Sequence, residues 1–388
     1  MVTTALTNGK IIVADRTFDG VLVIEDGIIK GIFGSVPAGA EVIDCDGCYV
    51  SPGFIDMHTH GAGGSDFMDG TVDAFLTAAR MHAVHGTTLL YPTTLTSTNE
   101  CLFESFETYR KAMKENREGA RFGGMHLEGP YFSSRFAGAQ DPRYLRNPKP
   151  EEYLDILSRC QDIARWSFAP ELDGAVEFVA ELHHRGIVAS IGHTDATFAD
   201  CDAAYRSGAS LMTHFYSCMS TISRRNAYRY AGTVEYGYWQ DGMNVEIIAD
   251  GIHVPADLLR LLLKIKGVSR ISLVTDSMRA AGMPEGTSVL GGLADGQEVI
   301  VEDGVAKLMD RSAFAGSVAT ADRLVRTMVD IAGCTVCEAV RMITENPARV
   351  MGIYDRKGSL EPGKDADIVV FDANIGVRRT IIGGKIIY

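Results

Sequence analysis

Apolar and polar positions change their rhythm twice along this chain. Over the first fifty residues, short runs such as KIIVAD, GVLVIEDGIIKGIFG and AEVIDCDGCYV alternate or stay apolar and break at Asp-Gly or Asn-Gly turns. The last thirty repeat this style, with ADIVVFD and RRTIIGGKIIY following GSLEPGKD. Between them, short apolar runs alternate with helix-length segments. The runs are GFIDMH, GTTLLYPT, FGGMHLE, WSFAP, GIVASIGH, GASLMTH, NVEIIAD and RISLVTD. Eight strands separated by helices predict an α/β fold, a (β/α)8 TIM-like barrel, over residues 53–355. Residues 1–52 and 356–388 are expected to pair into one small β-sandwich domain beside it. A Gly- and Asp-rich stretch at roughly 285–315 interrupts the pattern after the eighth strand.

The polar residues that close these runs are of one kind. His58 and His60 end GFIDMHTH, Glu128 ends GMHLE, His193 ends IVASIGH, His214 ends LMTH and Asp276 ends ISLVTD. In a (β/α)8 barrel the carboxyl ends of the strands surround the active-site mouth, so these residues would meet there. Taken singly, a strand-end histidine is more often a hydrogen-bonded structural residue, and an aspartate after a strand often caps the next helix. Six at corresponding ends make a metal site that zinc, iron, manganese or cobalt would fit. His82, His85, His183 and His184 lie in helix-like stretches and read as structural or exposed. His126 shares a strand face with Glu128 and either orients it or packs in the core.

Composition narrows the partners. With 46% hydrophobic and 22% charged residues, the chain of 388 can bury a large core and disorder is excluded. A net charge of −13 argues against nucleic acid and anionic membrane as partners. A phosphorylated substrate would then need a local cationic pocket, and STISRRNAYRY supplies Arg224, Arg225 and Arg229. A solvated basic loop is the competing reading, strongest for Arg224 and Arg229. The 8 cysteines include two CxxC pairs, Cys45 with Cys48 and Cys334 with Cys337, which read as reduced thiols in place of a zinc site. No basic-then-apolar leader opens the sequence, and no apolar run approaches the roughly 18 residues of a membrane helix. A cytoplasmic location is expected.

The motifs together resemble the amidohydrolase superfamily, and within it the branch acting on N-acetylated sugar phosphates. The carriers are SPGFIDMHTHGAGG (51–64), HLEGPYF (126–132), GHTDAT (192–197), THFY (213–216), ADGIHV (249–254), LVTDSMRAAG (273–282) and FAGS (314–317), in family order along essentially the whole chain. HLEGP with ADGIHV is the specific part. The resemblance implies metal-dependent deacetylation of N-acetyl-D-glucosamine 6-phosphate to D-glucosamine 6-phosphate and acetate, in amino-sugar catabolism. The alternatives are its galacto epimer or another amidohydrolase substrate. It implies Glu128, His193 and His214 as ligands of the main metal, with zinc expected first, and His58 and His60 as ligands of a second where one is present. Asp276 becomes the acid/base and a further ligand.

The same resemblance places Arg225 on the substrate phosphate, with His253 as a second substrate contact. Ala139, Gln140, Ser217, Cys218, Phe314, Ala315 and Gly316 would line the substrate. Ser217 and Cys218 stand where the family often has Asn-Ala, and Gln140 where some members have His. Gln140 can donate a hydrogen bond but cannot carry a proton. The Arg loop reaches a neighbouring subunit in several relatives, so a homodimer is expected. A catalytically inert binding barrel would have shed ligands or Asp276, and all are present.

Overall fold

Alternation in the first strands puts Leu6, Ile11, Leu22, Ile24 and Ile29 on one buried face. Strand β1 (Thr3–Val13) pairs antiparallel with β2 (Arg16–Glu25), which pairs with β3 (Ile28–Phe33). Its other edge takes β4 (Glu41–Asp44) and β5 (Tyr49–Pro52) in parallel. The structure, a computed structural model, describes residues 2–294 and 296–388, with Arg225 described by its backbone alone.

Eight parallel strands follow: β6 (Phe54–Thr59), β7 (Thr87–Thr94), β8 (Met125–Glu128), β9 (Ile163–Phe168), β10 (Val188–Ile191), β11 (Leu211–Met212), β12 (Asn244–Ile247) and β13 (Ile271–Leu273). Each pairs with the next. The ring closes where Thr59 bridges Ser277 and the Asp276 N–H donates to the His58 carbonyl at 2.8 Å. The expected (β/α)8 barrel is therefore present, with all eight apolar runs as its strands.

One helix leaves each strand but the last: α1 (Val72–Val84), α2 (Asn99–Glu115), α3 (Pro150–Arg159), α4 (Ala175–His184), α5 (Phe198–Ser207), α6 (Thr233–Trp239) and α7 (Ala256–Lys266). Thr71, Thr98 and Thr197 cap α1, α2 and α5 with their side-chain oxygens, and Pro150 opens α3. After β13 comes an antiparallel insertion, β14 (Gly286–Leu290), β15 (Gln297–Glu302) and β16 (Val305–Leu308), where the Gly- and Asp-rich stretch was read. Helix α8 (Ala321–Asp330) then completes the outer ring. The last strands, β17 (Ile368–Phe371), β18 (Val377–Ile382) and β19 (Lys385–Ile386), join the opening sheet through β17 against β5. Among the described residues no helix is long and apolar enough to cross a membrane.

Two strands are shorter than their apolar runs. Regular pairing in LMTH stops at Met212 and in ISLVTD at Leu273. Beyond them His214 and Asp276 take positive φ of 27° and 46°, and His193 after β10 takes 49°. This left-handed backbone swings the side chain off the strand line toward the barrel axis. After β6, Gly61 is required by close approach and not by a turn, since a Cβ there would stand 2.1 Å from the Ser65 carbonyl oxygen.

The helix-to-barrel core is largely aromatic around α4. Phe178 contacts Tyr131, Tyr153, Trp166 and Phe168 with ring centroids 5.0–6.0 Å apart. The Trp166 Nε1–H donates to the Gly129 carbonyl at 2.8 Å, which ties this cluster to the residue after Glu128. Phe178→Ala should lower the unfolding free energy by about 3–5 kcal/mol, read in denaturant titration. A loss under about 1 kcal/mol would mean that the cluster repacks around the missing ring.

Candidate active site

Glu128 ends β8 with its carboxylate on the barrel axis, surrounded by histidines. Its Oε1 lies 3.2 Å from His193 Nε2 and 3.1 Å from His214 Nε2, which are 3.1 Å from each other. Its Oε2 lies 3.2 Å from His60 Nε2, and Oε1 lies 3.5 Å from His58 Nε2. Asp276 Oδ1 faces the same pair, 3.3 Å from His58 Nε2 and 3.2 Å from His60 Nε2. None of the six residues is more than 7% exposed.

These atoms form two potential metal-ligating groups that share Glu128, one with His193 and His214 and one with His58 and His60. Donors about 2.0–2.1 Å from one tetrahedral ion stand roughly 3.3 Å apart, close to the spacings found here. The donor set, imidazole nitrogens with carboxylate oxygens, suits zinc and its neighbours in the transition series. The site therefore fits a divalent metal.

Two of the histidines are held with the right nitrogen inward. His58 Nδ1–H donates to Glu246 Oε1 at 2.7 Å, and His193 Nδ1–H donates to the Phe136 carbonyl at 2.9 Å. Each bond leaves Nε2 facing the centre. The buried His58 Nε2 has no hydrogen-bond partner. A metal at this position would satisfy it.

Charge in the cluster follows from burial and proximity. Burial alone would raise the Glu128 carboxyl, yet His58, His193 and His214 hold it well below the usual carboxylate range. Burial likewise works against the Asp276 carboxylate, but His58 and His60 bring its pKa below the ordinary value. Burial opposes charge on both rings, but Asp276, Glu246 and Glu128 push His58 up to about 9, and Asp276 and Glu128 push His60 up to about 10. The carboxylates demand positive charge, and a metal meets the same demand through the same nitrogens while releasing their protons.

A cavity of about 200 Å³ opens over this cluster. Of the residues expected around the substrate, Ala139, Gln140, Ser217, Cys218, His253, Phe314 and Gly316 line it. Ala315 does not. It is fully buried in the apolar cluster of Met278, Leu290 and Val299, because its N–H donates to the Ala306 carbonyl at 3.0 Å and draws it against the insertion strands. The Arg225 side chain lies outside the described residues. Gln140 does more than was read for it: Nε2 donates to Glu128 Oε2 at 2.8 Å and Oε1 accepts the Thr96 N–H at 2.9 Å. Asp276 caps no helix. His82 is buried against Thr59 and Ser277, and His183 and His184 are exposed. The 8 cysteines are free, and no group of cysteines assembles as a metal site among the described residues.

The Amidohydrolase family pattern matches residues 49–387. The chain belongs to the amidohydrolase family. This amidohydrolase is 35% identical over 341 residues to N-acetylglucosamine-6-phosphate deacetylase of Bacillus subtilis (strain 168), covering 87% of its own length and 84% of the relative's. It is 33% identical over 370 residues to N-acetylgalactosamine-6-phosphate deacetylase of Escherichia coli O157:H7, covering 95% and 94%. A mutant N-acetyl-D-glucosamine-6-phosphate deacetylase from Mycobacterium smegmatis, solved in complex with N-acetyl-D-glucosamine-6-phosphate, superposes over 100% of both chains with a TM-score of 0.91 at 31% identity.

Beneath the metal-binding face this amidohydrolase carries a polar layer that strand-end reasoning missed. Arg165 and Glu246, both fully buried, form an ion pair inside the barrel. Arg165 also donates to Ser190 Oγ, the Met57 carbonyl and Thr213 Oγ1 at 3.0–3.1 Å. Glu246 accepts from the His214 N–H at 2.9 Å as well as from His58. Burial alone would raise the Glu246 carboxyl, and Arg165 with His58 brings it down to about 2. His126 lies edge-on to His58 at 4.5 Å and bonds Thr93 and Ser167. Burial and the Arg165 charge hold its pKa well below the usual imidazole value, so it is a neutral packing partner. A lone charge inside an apolar strand, as in NVEII or IARWSF, was the signal available for this pair.

Glu246→Gln keeps the shape but loses the charge that orients His58. It should weaken metal binding at the His58–His60 group by about 10–100-fold, measured by chelator competition. Unchanged affinity with a lowered melting temperature would mean that Glu246 serves Arg165 alone.

Proposed function

We propose that this amidohydrolase removes the acetyl group from N-acetyl-D-glucosamine 6-phosphate, giving D-glucosamine 6-phosphate and acetate, in amino-sugar catabolism. The observation that carries the reading is the pair of donor groups sharing Glu128 beside Asp276, in a chain whose deacetylase relatives match most of its length. A metal held there supplies a water whose pKa is lowered toward about 7 and polarises the amide carbonyl.

The residues of the chain do the rest. Glu128, His193 and His214 would hold the main metal, and His58 and His60 with the shared Glu128 would hold a second. Asp276, ionised and facing His58 and His60, accepts the proton of the attacking water and returns it to the departing amine nitrogen. Gln140 steadies the Glu128 carboxylate and keeps one N–H for the substrate. His253, braced by Asp250 at 2.7 Å and packed on Phe314, meets the sugar phosphate together with Arg225. Ala139, Ser217, Cys218 and Gly316 complete the walls.

Zinc, a homodimer and a cytoplasmic location belong to the same reading, as does the division into a barrel of residues 53–355 and a small domain of residues 1–52 with 356–388. The dimer is supported by the hairpin Ser223–Arg225 with Tyr228–Tyr230, flanked by exposed Ile222 and carrying exposed Tyr228.

Acetate release from N-acetylglucosamine 6-phosphate tests the whole, and Asp276→Asn tests the chemistry. In that variant kcat should fall about 10²–10⁴-fold when compared at equal metal content. Near-normal kcat with full metal would remove Asp276 from the mechanism. The relative from Escherichia coli O157:H7 favours a second reading, the galacto epimer, and the same assay beside N-acetylgalactosamine 6-phosphate decides between them.

Arg225→Ala should cost roughly 1.5–3 kcal/mol in kcat/KM on the phosphorylated sugar and almost nothing on the unphosphorylated one. Equal losses on both would make Arg225 a structural residue.

A further inference from the structure

Glu128 belongs to both donor groups and has one carboxylate to serve them. Its Oε1 faces His193 and His214 at 3.2 and 3.1 Å, with His58 Nε2 at 3.5 Å, and its Oε2 faces His60 at 3.2 Å. A carboxylate placed this way can offer one oxygen to each of two metals. Carboxylates also ligate a single metal through both oxygens. Rotation about the last side-chain bond of Glu128 exchanges the two arrangements. That torsion is broad and nearly two-fold, so the side chain alone selects neither.

A histidine nitrogen that ligates a metal carries no proton. With both groups filled, the four inward Nε2 atoms therefore donate nothing to Glu128. Among the described residues one donor then remains on the carboxylate, the Gln140 amide, whose Nε2 donates to Oε2 at 2.8 Å. The amide has only one workable orientation. Its Oε1 accepts the Thr96 N–H at 2.9 Å, and a flipped amide would set its own N–H groups against that donor and its oxygen against the carboxylate. Thr96 is tied to the same ligand, since its Oγ1 donates to the Glu128 carbonyl at 3.4 Å. The Gln140 N–H closes a turn on the Ala137 carbonyl at 3.0 Å, and the residue is buried. Backbone on both sides thus fixes the one group that can hold Oε2 in place.

We propose that Gln140 is a positioning residue for the metal centre: by holding Oε2 it keeps Glu128 shared between the two groups, and so sets how tightly a second metal is held at His58 and His60. The inference rests on reading the two groups as a two-metal centre, and adds to it the residue that favours the pairing. A hydrogen bond to an ionised acceptor is roughly twice as strong as a neutral one. Here it acts on one oxygen only, which favours the shared orientation over the chelating one.

The test loads the whole protein with Mn²⁺ and needs no substrate. Metal content and chelator competition give number and affinity, and electron paramagnetic resonance tells a spin-coupled pair from isolated ions. Wild type should take two Mn²⁺ per chain and show the coupled signal. Gln140→Met keeps the unbranched length and removes the donor; Gln140→Leu replaces it if that variant does not fold. The weaker-held metal should lose about 10–100-fold in affinity, and the coupled signal should give way to that of isolated ions. In His60→Ala protein, which keeps the first group, adding Gln140→Met should weaken the remaining metal less than about 10-fold, the lower end for loss of an outer partner. Wild type that takes one metal brings down the two-metal reading, and this proposal with it. Two metals in wild type, with unchanged affinities in the folded variant or an equal loss at both groups, overturn the role of Gln140 alone.

Discussion

Glu128 is a carboxylate that water barely reaches, in the middle of a barrel whose walls are otherwise packed. A buried charge of this kind is tolerated only where opposite charge and hydrogen-bond donors surround it. Four histidines and Gln140 stand around its two oxygens at 2.8–3.5 Å. Their backbones come from four different strands or the turns that follow them. The carboxylate therefore constrains the relative height of strands β6, β8, β10 and β11, and a shift of any one of them would leave a charge or a ring nitrogen unpaired.

The layer beneath explains how that arrangement stays rigid. Arg165 and Glu246 neutralise each other at full burial, and the hydroxyls of Ser167, Ser190 and Thr213 link strands β9, β10 and β11 at 2.9–3.0 Å. Breaking such a pair by removing one partner typically costs about 3–5 kcal/mol, whereas an all-apolar replacement of both can be neutral. What the pair contributes here is orientation: Glu246 holds the His58 ring and the His214 backbone in one geometry.

The candidate site is built by residues just past the strands. His193, His214, Tyr216, Cys218 and Asp276 all have positive φ, a conformation that costs a non-glycine residue of order 1–3 kcal/mol. The outer helices, with their threonine caps and aromatic packing, supply the stability that holds these turns in place. The insertion of β14–β16 brings Leu290 to the rim of the cavity over the Glu128 cluster.

The barrel and the six residues that meet at its axis were legible in the chain because both depend on local pattern. An apolar run marks a strand, and the first histidine or carboxylate after it marks the carboxyl end, where parallel strands open to solvent. Glu246 and Arg165 were not legible as a pair, since they are 81 positions apart and each looks like a stray charge in an apolar strand. The partner of Gln140 was hidden for a different reason: a loop side chain can reach either the substrate or the protein, and only the position of Glu128 decides which. Ala315 shows the limit of a motif, which names a segment but not the face each residue presents. The cavity over the cluster has no counterpart in the sequence at all, because its walls come from separate stretches that only the closure of the barrel and the fold of the insertion bring together. The sequence by itself determined which elements form and what their ends carry. The tertiary structure decided which of those side chains touch, because contact across a closed barrel depends on strand register and not on distance along the chain.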